Sequence, residues 1–186
     1  MMKLNKAITL VILTAIAFFA GGCIDVAKMT YKITIENGMK GHATVHYYDI
    51  TSDAIGNKEF EEDKKLLFNL MYESQEFVDT MKVDGVSITS RKLFVENGKL
   101  NGEITFDFED ISALEPIRYE SGIWFLTVQP EDSITAPDGQ MVTGTGYKRV
   151  LWDGNKTEFE FSRYSPQEEV QKRSFVPEFK KRYPAK

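Results

Sequence analysis

The sequence predicts an α+β fold: an antiparallel sheet built from hairpins, with one long helix packed on it and a short C-terminal helix. Three observations carry this. Asn-Gly and Asp-Gly-Asn turns separate stretches in which apolar and polar residues alternate with a period of two. One stretch, 58–82, switches to three- and four-residue spacing. Strand patterns come in runs, with the helices set apart from them, which argues against alternating βαβ units.

The first element precedes the fold. Lys3 and Lys6 are followed by AITLVILTAIAFFAGG, 16 residues without a charge. A transmembrane helix needs about 20 apolar residues. A basic start, a shorter apolar run and small residues at its end make a secretory signal. Ala20-Gly21-Gly22-Cys23 resembles the bacterial lipobox, Leu-Ala/Ser-Gly/Ala-Cys, with Ala20 standing where leucine is usual. The resemblance implies that the Cys23 thiol takes a diacylglycerol, that cleavage follows Gly22 and that the new amino group is open to acylation. Two or three chains hold a protein stably where one does not. Cys23 is the only cysteine, so the mature domain has no internal disulfide and relies on its own core. The expected organisation is a signal peptide over 1–22, a tether over 23–29, one α+β domain over 30–175 and a basic flexible tail over 176–186.

The domain elements follow in order. Tyr31, Ile33 and Ile35 alternate with Lys32, Thr34 and Glu36, and Ala43, Val45 and Tyr47 resume the pattern after Asn37-Gly38, which predicts a hairpin over 31–50. In 58–82, Phe60, Leu67, Leu70, Met71, Ser74, Phe77, Val78 and Met81 recur at three- and four-residue steps, acids crowd the first turns, and Asp84-Gly85 ends the helix. Residues 86–111 predict a second hairpin turning at Asn97-Gly98, with Ile104, Phe106 and Phe108 on one face. IWFLTV, 123–128, is apolar throughout and reads as a central strand covered on both sides. Residues 129–146 are polar, rich in Gly and Pro, and read as a long loop. Residues 147–164 predict a third hairpin turning at Asp153-Gly154-Asn155. Ser165-Pro166-Gln167-Glu168-Glu169 carries a cap, an N1 proline and early acids, a helix start.

The chain of 186 residues carries a net charge of −5, and losing Lys3 and Lys6 with the signal leaves −7. An acidic domain is poorly suited to nucleic acid and gains no general attraction to anionic lipid. With 13 Phe and 8 Tyr the composition is globular.

Little in the sequence points to catalysis. The two histidines, His42 and His46, fall in a strand pattern with Asp49 nearby. Four residues of strand span about 13 Å, too far for both rings to hold one zinc with bonds near ~2.1 Å. They are the candidates for a pH response. Glu61-Glu62-Asp63 and Glu109-Asp110 sit at a helix start and a strand end, where charge is ordinary. Gly144-Thr145-Gly146 lacks the third glycine and following helix of a phosphate loop, and no Gly-x-Ser-x-Gly elbow is present. Two regions are candidates for binding, the 129–146 loop and the basic tail with Arg173, Lys180, Lys181, Arg182 and Lys186, although a mobile loop and a solvated charged terminus are the plainer readings. Trp124 and Trp152 read as core residues.

The stretch GKLNGEITFDFEDISALEP, 98–116, has a glycine-bounded turn, a strand of alternating aromatics and a following Asp-Ile-x-x-Leu. In that, and in the lipobox and ββα lead-in, residues 23–130 resemble the LppM-type bacterial envelope lipoproteins. The resemblance implies a membrane-anchored, non-catalytic domain with lipid among its candidate ligands. A C-terminal transmembrane helix found in such proteins has no counterpart in this charged C-terminus.

The expected function is therefore that of a cell-envelope lipoprotein with a binding or scaffolding domain, not an enzyme, without cofactor or metal. Its expected partners are the membrane through acylated Cys23 and an envelope protein or lipid, with nucleic acid excluded. The alternative is a carrier of lipid or a small apolar ligand in a cavity between helix 58–82 and the sheet. Ile24, rather than aspartate, follows Cys23, which favours the outer membrane in a two-membrane cell.

Overall fold

The computed structural model describes residues 24–165 and 171–184. The signal segment and Cys23 lie outside the described residues, as does the expected helix start beyond Ser165.

The fold is α+β, and its strands form two antiparallel sheets rather than one. The large sheet is built from β1 (Ile24–Asn37), β2 (Lys40–Ser52), β3 (Val86–Glu96), β4 (Lys99–Phe108), β7 (Ser133–Thr135) and β10 (Glu158–Tyr164), in the order β3-β4-β2-β1-β10-β7. A two-residue strand, β11 (Arg173–Ser174), pairs with the end of β2. The small sheet runs β5-β6-β9-β8, from β5 (Ile117–Glu120), β6 (Ile123–Val128), β8 (Gln140–Gly144) and β9 (Tyr147–Asp153).

The second hairpin turns at the expected Asn97-Gly98, and the first turns one residue later than expected, at Gly38-Met39. Asn97 and Gly98 have φ of 51° and 77°, the left-handed pair that matches strand twist in a two-residue turn. At Gly41 the constraint is space: a Cβ there would lie 1.9 Å from the Thr34 carbonyl oxygen. Both strands of the first hairpin run longer than expected. Residues 24–29, expected as a tether, are the start of β1, because Ile24 and Val26 pair with Ser52 and Ile50 and are buried.

The expected third hairpin does not form. β9 and β10 belong to different sheets, and the chain crosses between them at 154–157. The two strands meet face to face instead: Trp152 lies edge-on to Phe159 at 5.2 Å, and Trp124 to the same ring at 5.4 Å. Strand β6 is central in the small sheet but buried on one face only. Trp124, Leu126 and Val128 point inward, whereas Ile123 is 43% exposed, since the outer face of this sheet carries Arg149 over Phe125 and Tyr147 rather than a covering layer. The expected 129–146 loop contains β7 and β8.

The single long helix over 58–82 is also corrected. It is divided into α1 (Asn57–Phe68), a π-helical turn (Asn69–Glu73) and α2 (Gln75–Val83). The break is at Ser74, whose backbone is extended and whose Oγ accepts from Phe77 N at 2.9 Å, capping α2. Arg91 of β3 reaches the carbonyl oxygens of Leu70 and Ser74 and so occupies the acceptors that the break frees.

The basic tail is structured as far as residue 184. α3 (Val176–Arg182) has a proline in its first turn and follows Phe175, which is fully buried and stacks on Phe60 at 5.1 Å. Tyr183 packs on Tyr72 at 4.9 Å, and Arg182 pairs with Glu73. Helices and small sheet thus cover one face of the large sheet, and a single core joins them. The two ends of that face are matched by a kink. Asp49 has φ of 55°, and Tyr47 and Ile50, which strict alternation would place on opposite faces, both line the space beneath α1.

Candidate functional site

Among the described residues neither the helices nor the small sheet covers the other broad face of the large sheet, and registers place its side chains in rows across the strands, with Thr30 and Ser162 buried in mid-row. One row is polar from edge to edge: Lys92, Glu103, His46, Thr30, Ser162 and Thr135. Lys92 Nζ lies 2.5 Å from Glu103 Oε1, and His46 Nε2 lies 2.9 Å from Glu103 Oε2. The Thr30 and Ser162 hydroxyls meet at 2.8 Å. The adjacent row holds Tyr48, Lys28 and Tyr164. The Lys28 ammonium sits between the two phenol rings, 5.1 Å from the Tyr48 centroid and 5.6 Å from that of Tyr164.

At the β7 side this face deepens into a groove of about 420 Å³. Lys28, Glu160, Ser162 and Tyr164 form its floor, and Ile134, Pro137 and Met141 form its wall. The wall comes from the segment the sequence marked as a candidate binding loop. Its structure follows from Pro137. β7 pairs with β10 only through Ser133–Thr135. Two residues on, a proline has no N–H to continue the ladder, so the segment leaves the sheet edge.

The histidines do not converge. His42 Nδ1 pairs with Glu36 at 3.1 Å, whereas His46 pairs with Glu103. Asp49 pairs instead with Lys99 at 2.5 Å. Among the described residues no three His, Cys, Asp or Glu side chains form a metal-binding group. Of the paired carboxylates, Glu61 and Glu62 face solvent and pair with lysines on α1, but Asp63 is buried and accepts from Ser52 Oγ at 2.5 Å. Glu109 pairs with Lys40, and Asp110 caps the turn at Ile111–Ala113 by accepting from Ser112 N at 2.8 Å. Trp124 and Trp152 are core residues, the latter donating Nε1–H to Asp138 at 2.9 Å. In the C-terminal segment Arg173 donates to Gly56 O and Asn57 Oδ1, so it serves the fold.

No protein family, curated protein or solved structure matches the chain. Function must therefore be argued from the chain itself.

Beneath the uncovered face lies a polar cluster that the sequence reading passed over. Glu115, 2% exposed, places Oε2 3.5 Å from Arg163 Nη2, between the inward-facing Tyr31 and Tyr47. Burial pushes the Glu115 carboxyl above its ordinary value; Arg163 and the Tyr31 hydroxyl restrain the rise, and Asp132 adds to it. Burial also raises both tyrosines, and the Glu115 charge raises them further. Glu115 Oε1, Arg163 Nε and the Tyr47 hydroxyl have no hydrogen-bond partner among the described residues. Of these groups, Tyr47 lines the space under α1. The cluster is an internal polar knot rather than a surface for substrate.

The carrier alternative needs a cavity between helix and sheet. The space there, lined by Ile24, Val26, Ile50, Leu67 and Met71, measures about 10 Å³. That is about the space for one water and far less than an acyl chain requires. No described helix is long and apolar enough to cross a membrane.

Proposed function

We propose that the protein is a membrane-anchored cell-envelope lipoprotein, held through acylated Cys23, whose α+β domain is a non-catalytic binding module. The observation that carries the anchor is the charge-free run ending in Ala20-Gly21-Gly22-Cys23. The uncovered face, with Tyr48, Lys28 and Tyr164 in a row beside the groove, supports the binding role. Amphipathic tyrosines around a single cation suit an extended partner with both apolar and anionic groups, such as a protein segment of the envelope. The filled core beneath α1 favours surface binding over internal carriage of an apolar ligand.

The test is the mass of the N-terminal peptide, read with membrane fractionation. The expected peptide begins at Cys23 and carries diacylglyceryl mass. Cys23→Ser is expected to stay unprocessed and unacylated. A Cys23→Ser chain that is cleaved and retained as the parent is would overturn the anchor. Where the anchor holds, Tyr48→Ala with Tyr164→Ala is expected to abolish partners that co-purify with the parent; unchanged recovery would remove the face from the proposal.

A further inference from the structure

β1 begins at Ile24, the residue bonded to Cys23, and Ile24 is buried and paired with Ser52. No spacer separates the acyl-bearing position from the sheet. Consecutive Cα atoms are about 3.8 Å apart, so with Cys23 acylated the surface around Ile24 stands at the bilayer.

The loop after Ser52 belongs to that surface. Paired Cα atoms across antiparallel strands lie about 5 Å apart, and three further residues reach at most about 11 Å. Ile55 is thus within about 16 Å of Ile24 by those limits. Ala54 is buried, yet Ile55 is 101% exposed. Its loop is pinned from behind: Arg173 donates to Gly56 O at 2.9 Å and to Asn57 Oδ1 at 3.1 Å, with its guanidinium 3.9 Å from the Phe60 centroid. A fully exposed isoleucine on a held loop gains nothing from water. Charges of both signs flank the loop and pair with each other, Lys58 with Glu62 and Lys172 with Asp25, so apolar insertion rather than headgroup charge would set the contact.

We propose that Ile55 inserts into the lipid interface beside the acyl anchor, so that the domain stands on its β2–α1 loop with the Asn37–Lys40 hairpin pointing away from the bilayer. This rests on the acylation of Cys23 proposed above. The partner is a lipid surface, independent of its headgroup charge. Val83 supplies the control. It is 86% exposed, beside Val86, which is linked through Phe108 and Gly41 to Ile35. Ile35 is eleven residues along β1 from Ile24, up to about 36 Å away.

The test uses the full chain purified from membranes. Acylation converts the Cys23 thiol to a thioether, so Ile55→Cys and Val83→Cys each present one reactive thiol for an environment-sensitive dye. Both sites are exposed, so neither substitution disturbs the core. The labelled proteins are reconstituted in phosphatidylcholine vesicles carrying a nitroxide lipid, with and without phosphatidylglycerol. The dye at position 55 is expected to lose most of its emission in both lipid mixtures, and the dye at position 83 to keep it. Equal emission at the two positions, in a chain whose Cys23 does not label, overturns the insertion and leaves the anchor standing. Labelling of the parent chain at Cys23 overturns the anchor itself, and the insertion with it.

Discussion

Glu115 shows how one residue couples the interior to pH. Its folded-state pKa is raised, chiefly by burial. A raised carboxyl contributes stability that is fully present below the unfolded value near 4.5 and is lost as pH rises through the folded value. Unfolding midpoints in urea should therefore fall across that interval in the parent. Glu115→Gln should flatten the dependence, and an unchanged profile would show that Glu115 is not its source. Tyr47 gives a second prediction. Its hydroxyl is buried without a partner, so Tyr47→Phe should leave stability unchanged or raise it by about 1 kcal/mol, measured by the same midpoints at pH 7. The sequence held part of this cluster in view. Phe159, Phe161 and Arg163 share the parity of one strand face, so an inward arginine was readable once that strand's face was known. Glu115 was not readable, because it follows a short helical turn where no periodicity assigns a side.

At the scale of elements, sequence signals fixed turns better than partners. Gly38 and the pair Asn97-Gly98 specify their hairpins locally, through backbone angles that few residues adopt. Asp153-Gly154-Asn155 looks equivalent but joins strands of different sheets, because the aromatic rings on either side of it pack against each other instead of lying side by side. The helical stripe over 58–82 is real, but Ser74, which the spacing counts within the stripe, divides it, because its side chain caps a new helix instead of continuing the first. In the C-terminal segment charge predicts a flexible tail, whereas the chain forms a helix. Its seven-residue helix depends on Phe175, an anchor that composition hides. Phe175→Ala should cost about 3–5 kcal/mol by denaturant unfolding. It should also expose residues 176–184 to limited proteolysis. A variant with parent stability and protection would show that α3 is held by other contacts.

Over the whole molecule, the fold class followed from period-two alternation, whereas the division into two sheets did not, since alternation says which side is buried and not against what. The groove escaped the sequence for the same reason: Lys28, Ser162 and Met141 are brought together only by sheet order. That order makes β1 an interior strand, between β2 and β10. A chain ending before Glu158 would leave the buried faces of Tyr31 and Ile33 without Phe161 and Phe159 and should lose cooperative unfolding, as followed by near-ultraviolet circular dichroism. A sigmoidal transition in that fragment would contradict the dependence on β10.

Because β1 is made first and its neighbour β10 is more than 120 residues later, the molecule has a timetable written into its topology. Nothing short of nearly the full length can close the sheet. Until residue 164 is present β1 lacks its partner on one side, so the hairpins nearer the start wait on the last strands to complete their sheet.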